Sequence, residues 1–339
     1  VKRLLLVNFY ESPENLHFER ALARAAALRP GTALDVLHDF DSDYEYLGTP
    51  EPPRGRRVKY LGAGSLAGLH KRYDLVLLLD FPKRARCSAP FLRLAGGALG
   101  APVFAANHLC QMPKDNFTAD LARRLKPLAG VKAGYMLESD DARLWGEFGL
   151  PEGRLARRGY AVDCYYYRPQ LLKPGDYVFS AGSTGRDFKA LAAGARRAGL
   201  GVTVLSESRP QKLPGATFVP LTKNLDKLRE WAAGARAVVI PLKDGCVNDA
   251  AGNSIAFLSM AMGQPVLTRR TPYMERFIKD GANGFFYDEL SPASVAAGLR
   301  RVRALSPEAR KALAAAARRT ILQKASLDRF CAAFLARFF

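Results

Sequence analysis

The sequence predicts an α/β protein built of two Rossmann-like, doubly wound parallel-sheet domains in series. Three observations carry this. Apolar runs of parallel-strand length recur along the whole chain, segments of helical periodicity separate several of them, and one tract rich in tyrosine and proline divides them into two series. The length, 339 residues, agrees, because one domain usually holds about 100–200.

In the first series the strand-like runs are RLLLV (3–7), ALDVLH (33–38), YDLVLLLD (73–80), APVFAAN (101–107) and VKAGYML (131–137). A segment such as LHFERALARAAAL places apolar residues at helical spacing between the first two. The tract CYYYRPQLLKPGD (164–176) has no helical period and reads as the linker. The second series runs through DYVFSAG (176–182), GVTVLS (201–206), TFVPL (217–221), AVVIPL (237–242), QPVLTR (264–269) and GFFYD (284–288). From Ser291 onward the chain reads as basic helix, ending in SLDRFCAAFLARFF. The expected divisions are an N-terminal domain over 1–165, a C-terminal domain over 166–320, and a last helix over 321–339.

Composition excludes several classes. Forty-eight per cent hydrophobic and 24% charged residues describe an ordinary globular chain rather than a disordered one. No apolar run approaches the ~20 residues that span a bilayer, and LLLVN near the start is too short for a signal peptide, so a cytoplasmic location is expected. Five scattered cysteines without a C-x-x-C pair read as reduced, buried small residues. The charge balance stands out: 51 Lys and Arg against 32 Asp and Glu give +19, with a pI near 9.9. Such an excess points to anionic partners, although a GC-rich genome also raises Arg and Ala content.

Two segments carry chemistry. FSAGSTGRDFKAL (179–191) puts Gly182, Ser183, Thr184, Gly185 and Arg186 between a strand and a helix, a donor-rich corner with a fixed cation. It is not a phosphate-binding P-loop, since Gly-Lys-Ser/Thr is missing at the required spacing. In the segment from Asn248 to Asp288, Gly252, Asn253 and Ser254 open a helix after a strand that ends in proline, where backbone N–H groups can face an anion. That helix ends at Gly263, and DGANGFFYD forms a tight turn into a further strand.

SMAMGQPVLT followed by FIKDGANGFFYD resembles the EAMAxGxPVIA … VxDGxxGxLV signature of retaining glycosyltransferases of the GT-B fold, family 4. The stretch 138–169 is similar to the segment that joins the two domains in that family, so the resemblance covers about 200 residues in order. It implies a GT-B architecture with two Rossmann-like domains facing a cleft. It implies a nucleotide-diphosphate sugar as donor and co-substrate, no cofactor and no metal. Negative charge builds on the departing diphosphate, so fixed cations and preorganised N–H donors are what such a fold supplies.

Carried over position by position, the family's diphosphate lysine falls at Arg186, with Lys189 as a second cation. The plain alternative is that Arg186 pairs with Asp187 on a solvated helix start. His108 falls where many members carry a histidine facing the donor sugar, and a structural histidine is the alternative. Asn8, Tyr10 and Glu11 lie in the loop that would contact the acceptor, where a merely solvated loop is equally compatible. The sequence departs from the family at two glutamates, replaced by Leu258 and a position near Ala250, neither of which can accept a hydrogen bond from ribose. Asp249, one residue off register, and Ser254 and Ser259 on the same helix are the candidate substitutes.

The tract HDFDSDYEY offers Asp39, Asp41 and Asp43 as an alternative Mn²⁺ site of the other large glycosyltransferase fold. That fold has a single nucleotide-binding sheet and leaves the second strand series unexplained, so the aspartates read as a solvated loop. No G-x-S-x-G elbow suggests a serine hydrolase. The readings that stand are sugar transfer, a non-catalytic sugar-nucleotide or glycan-binding protein on the same fold, and a sugar-nucleotide epimerase. Basic clusters in PRGRRVK (53–59), HKR (70–72), PKRAR (82–86) and RRLK (123–126) point to an anionic or membrane-associated acceptor and peripheral binding at the inner face of a membrane. Nucleic acid is not expected, because aromatics do not interleave with these clusters. Leu327, Phe330, Phe334, Leu335 and Phe338 share one face of the last helix, which is expected to return to the N-terminal domain.

Overall fold

A computed structural model describes residues 1–8, 13–38, 58–61, 73–79, 103–106, 133–137, 155–157, 160–183, 185–206, 212–220, 225–246 and 251–338. Among these, one compact unit takes the chain as far as Tyr160 together with its end from Phe330, and the other takes Ala161–Arg329.

The first unit holds a seven-stranded sheet in the order β3-β2-β1-β4-β5-β6-β7, every pair parallel. Its strands are β1 (Lys2–Asn8), β2 (Thr32–His38), β3 (Val58–Leu61), β4 (Leu75–Leu79), β5 (Val103–Ala106), β6 (Ala133–Leu137) and β7 (Leu155–Arg157). Leu4, Leu5, Leu6 and Val7 are all fully buried, which explains an unbroken apolar run rather than an alternating one. Helix α1 (Pro13–Leu28) crosses from β1 to β2 and buries Leu16, Phe18 and Leu22. The sequence did not announce β3 and β7. Their residues, VKYL and LAR, are short and flanked by charge, and only pairing with a neighbour makes them strands.

The second unit holds a six-stranded parallel sheet in the order β10-β9-β8-β11-β12-β13. The strands are β8 (Tyr177–Ala181), β9 (Gly201–Ser206), β10 (Ala216–Pro220), β11 (Ala237–Ile240), β12 (Val266–Arg269) and β13 (Phe285–Tyr287). Its helices are α2 (Phe188–Arg197), α3 (Leu225–Gly234), α4 (Asn253–Ala261), α5 (Pro272–Glu275), α6 (Pro292–Arg303) and α7 (Pro307–Lys324), while α8 (Leu327–Phe338) belongs from Phe330 onward to the first unit. On one face, Val178, Val202, Val239 and Leu267 meet Phe188 and Leu191 of α2, Val295 and Leu299 of α6, and Leu313 of α7. Three of these helices start alike. Thr271, Ser291 and Ser306 each cap their helix through the side-chain oxygen, and a proline follows where no N–H is needed.

The DGANG turn is held by its own side chains. Asp280 Oδ1 accepts from Phe286 N at 3.0 Å, and Asn283 Nδ2 donates to Phe277 O and Thr320 Oγ1. Arg301 adds a two-pronged contact to Asp280, at 3.2 Å for each nitrogen. In α8, Leu327, Cys331, Phe334 and Leu335 are buried, and the Phe330 ring lies 6.0 Å from that of Phe18 on α1. Cys164 and Cys331 are buried, as the scattered spacing implied, and burial pushes the Cys164 thiol up to about 12. Cys246 differs, being free and half-buried. Among the described residues, no helix is long and apolar enough to cross a membrane.

Candidate active site in the second unit

In the second sheet β8 connects outward to β9 on one side, whereas its neighbour on the other side is β11. The connections that follow these two central strands leave in opposite directions, so a crevice opens at their carboxyl ends, the usual ligand position of such sheets. The corner from Gly182 to Asp187 lies there. Gly182 and Gly185 adopt φ of 89° and 66°, a left-handed backbone suited to glycine. The loop leaving β11 is stitched to this corner: Asp187 N donates to Pro241 O, Lys243 N donates to Gly185 O, both at 2.8 Å, and Arg186 forms an isolated antiparallel bridge with Leu242.

Arg186 is buried, with 8% of its surface exposed. Its Nη2 donates to Ala181 O at 3.5 Å and lies close to the backbones of two glycines. A Cβ on Gly182 would sit 3.4 Å from Nη2, and one on Gly252 would sit 3.2 Å from it. Desolvation by burial pulls the guanidinium down to about 10, against support from the Tyr287 phenol and the Cys246 thiol. It remains a cation at neutral pH, in surroundings that penalise the charge. The Asp187 carboxylate is used otherwise: its Oδ1 accepts from Lys189 N and Ala190 N at 2.9 and 3.0 Å, capping α2. Lys189 is exposed as the second residue of that helix.

Gly252, at φ 92°, caps α4 without a side chain, and Asn253 and Ser254 follow as its first residues. Arg186 and the start of α4 are thereby brought together, because the guanidinium lies beside Gly252 as well as Gly182. Asn253 is buried and Ser254 half-buried. Ser259 is fully buried on the core side of the helix, its Oγ without a hydrogen-bond partner, so its hydroxyl is not presented at the crevice. Leu258 is buried as well. In the first unit, Asn8 ends β1 fully buried, donating from Nδ2 to Glu19 Oε2 at 3.3 Å and accepting at Oδ1 from Asn15 at 3.1 Å. Thr184, Asp249, His108, Tyr10 and Glu11 lie outside the described residues, as do Asp39, Asp41 and Asp43. Among the described residues, no three His, Cys, Asp or Glu side chains converge as a metal site would require.

Two participants carried no local sequence signal. Cys246 fills the space beside Gly185, where a Cβ would come within 2.7 Å of its Sγ. Tyr287, at the end of β13, reaches past β12 to the carboxyl end of β11. Neither stands within fifty residues of Arg186 in the chain, so only the sheet brings them near it.

Residues 227–336 match the protein family described as glycosyl transferase-like. No curated protein matches the chain in sequence. Solved structures match along its length. A glycosyltransferase from Rickettsia africae shares 13% identity at a TM-score of 0.65, covering 99% of this chain and 97% of that one. Alr3699/HepE of Anabaena, solved with UDP and glucose, shares 12% identity at 0.66 over 99% of both chains. Sucrose-phosphate synthase of Thermosynechococcus elongatus shares 13% at 0.60, over 99% and 98%. The chain has the GT-B fold of these glycosyltransferases, and about a third of it, residues 227–336, is similar to the glycosyl transferase-like family.

Proposed function

We propose that the protein is a glycosyltransferase that takes a sugar from a nucleoside-diphosphate sugar, with retention of configuration and without a metal ion. The observation that carries this reading is Arg186, a buried cation beside the backbones of Gly182 and Gly252 at the switch point of the second sheet. A diphosphate placed there relieves the desolvation of the guanidinium and receives charge-assisted hydrogen bonds from it. The first N–H groups of α4 and the cationic Lys189 extend the positive field. These devices gain strength as the glycosidic bond breaks and charge collects on the leaving diphosphate, so they stabilise the transition state more than the bound donor. The departing phosphate takes the acceptor proton on the same face, and no carboxylate base is needed. HepE was solved with UDP-glucose, which supports UDP sugars as the first donors to try.

A thermal-shift series with UDP, GDP, ADP and CDP sugars, followed by transfer or hydrolysis of the stabilising donor, tests the reading. Stabilisation by none of them sinks it. EDTA is expected to leave turnover unchanged; a rate that collapses and returns with Mn²⁺ would show that a metal neutralises the leaving group.

One observation favours a second reading. Leu258 occupies, buried, the position where the resemblance implies a ribose-binding carboxylate. A non-catalytic protein that binds a sugar nucleotide tolerates that loss, and it is distinguished by donor binding with neither transfer nor hydrolysis. The acceptor is proposed to be anionic or at an anionic membrane, on the strength of the basic clusters over 53–59, 70–72, 82–86 and 123–126. Co-sedimentation with phosphatidylglycerol vesicles should occur at low salt and fade at high salt. Protein that stays in the supernatant at low salt points to a soluble acceptor.

A further inference from the structure

We infer that Tyr287 is a positioning residue for the diphosphate site, a strut that sets Arg186 through the loop leaving β11; this rests on the donor-binding reading given above. Tyr287 sits at the outer edge of the sheet, on β13, two strands away from β11. Its hydroxyl nonetheless lies at the carboxyl end of β11, donating to Ile240 O at 2.6 Å and accepting from Leu242 N at 2.8 Å. Pro241 lies between these two residues, and β11 ends at Ile240, so both groups lie where ladder pairing stops. One buried phenol therefore ties together the two residues on either side of that proline, adding to the direct bond in which Leu242 N donates to Ile240 O at 3.0 Å.

The same short loop holds the phosphate corner. Pro241 O accepts from Asp187 N, Leu242 is bridged to Arg186, and Lys243 N donates to Gly185 O. Three consecutive residues of the loop thus meet three consecutive residues of the corner, and the phenol sets the loop's height. Burial pushes the phenol well above the usual tyrosine range, so Tyr287 stays protonated and can donate throughout neutral pH. A tyrosine used only to fill the core would not need its hydroxyl at a strand end; phenylalanine would fill the same space.

Tyr287→Phe keeps the ring and removes both hydrogen bonds. It is expected to weaken binding of the best nucleoside diphosphate about tenfold, and binding of the corresponding nucleoside hardly at all, because the loop acts on the phosphate corner. In an Arg186→Ala background the same change should have almost no further effect on diphosphate affinity, as expected of residues acting through one another. Tyr177→Phe is the control, since it removes another part-buried tyrosine hydrogen bond, to Trp231 O, at the amino-terminal end of β8. It should leave diphosphate affinity unchanged.

Isothermal titration of UDP, GDP, ADP and CDP and of their nucleosides reads all of this. If no diphosphate binds wild type, the functional reading fails first. If one binds wild type and Tyr287→Phe equally, or loses diphosphate and nucleoside alike, the strut is overturned. Should Tyr287→Phe not fold, hydrogen exchange on wild type decides: the diphosphate must slow exchange of the Leu242 and Lys243 amides together with that of Arg186, and protection confined to the corner overturns the coupling.

Discussion

Arg186→Ala will weaken binding of the nucleoside-diphosphate sugar by about 1.5–3 kcal/mol, roughly 10- to 150-fold, while the second unit stays folded. The range is that of a hydrogen bond to a charged group. The structure gives a reason to expect its upper part, because the guanidinium is buried and its contact with an anion is poorly screened. The same burial predicts what happens to stability. A guanidinium lowered from 12.5 to about 10 binds its proton less tightly folded than unfolded. Between those two values the unfolded chain holds more protons, so stability rises with pH across that window; below it the cost of the buried charge is fully present. At neutral pH that cost is on the order of 3 kcal/mol. Arg186→Met, which fills the space without the charge, is therefore expected not to lower Tm while abolishing donor-induced stabilisation. A residue kept only for the fold would show the opposite pattern, a fall in Tm with unchanged affinity per folded molecule.

Gly252→Ala is the second large effect. Alanine would have to hold φ near 92°, a left-handed conformation that costs about 1–3 kcal/mol. Its Cβ would also lie 2.5 Å from Ile240 Cγ2 and 3.2 Å from Arg186 Nη2. Ile240 is buried in β11 and cannot swing away, so the start of α4 must move. That motion removes one of the two surfaces that hold the guanidinium and turns the helix end off the diphosphate. A fall in Tm of several degrees is expected, together with a loss of donor affinity of at least about tenfold. Gly215→Ala separates strain from geometry. It too has a positive φ, of 79°, but nothing lies within 4 Å of the added Cβ. It should lose stability and keep its affinity. Wild-type affinity in Gly252→Ala would mean that the contact between Gly252 and Arg186 has no part in binding.

The sequence by itself determined the two parallel sheets. Runs such as LLLV and AVVI are apolar at every position because both faces of a central parallel strand are covered, and that pattern is local to four residues. It also determined that a glycine-bordered corner with a cation follows β8, since positive φ selects glycine wherever the chain turns so tightly. The short strands β3 and β7 escaped it, because three or four residues flanked by charge have no period of their own and become strands only beside a partner. The condition of each site residue was a matter for the tertiary structure alone. Adjacent residues met different fates: Arg186 is buried as a cation, and Asp187 is spent on a helix cap. Ser259 turns into the core, and Asn8 is engaged with Asn15 and Glu19. Parallel sheets explain the difference. Their strand order is not their chain order, so Gly182, Arg186, Leu242, Gly252 and Tyr287, spread over a hundred residues, meet at one end of one sheet. Periodicity reports which face a residue presents within its own element; the neighbour across the strands is set by the crossovers, and those are closed only when the sheet forms.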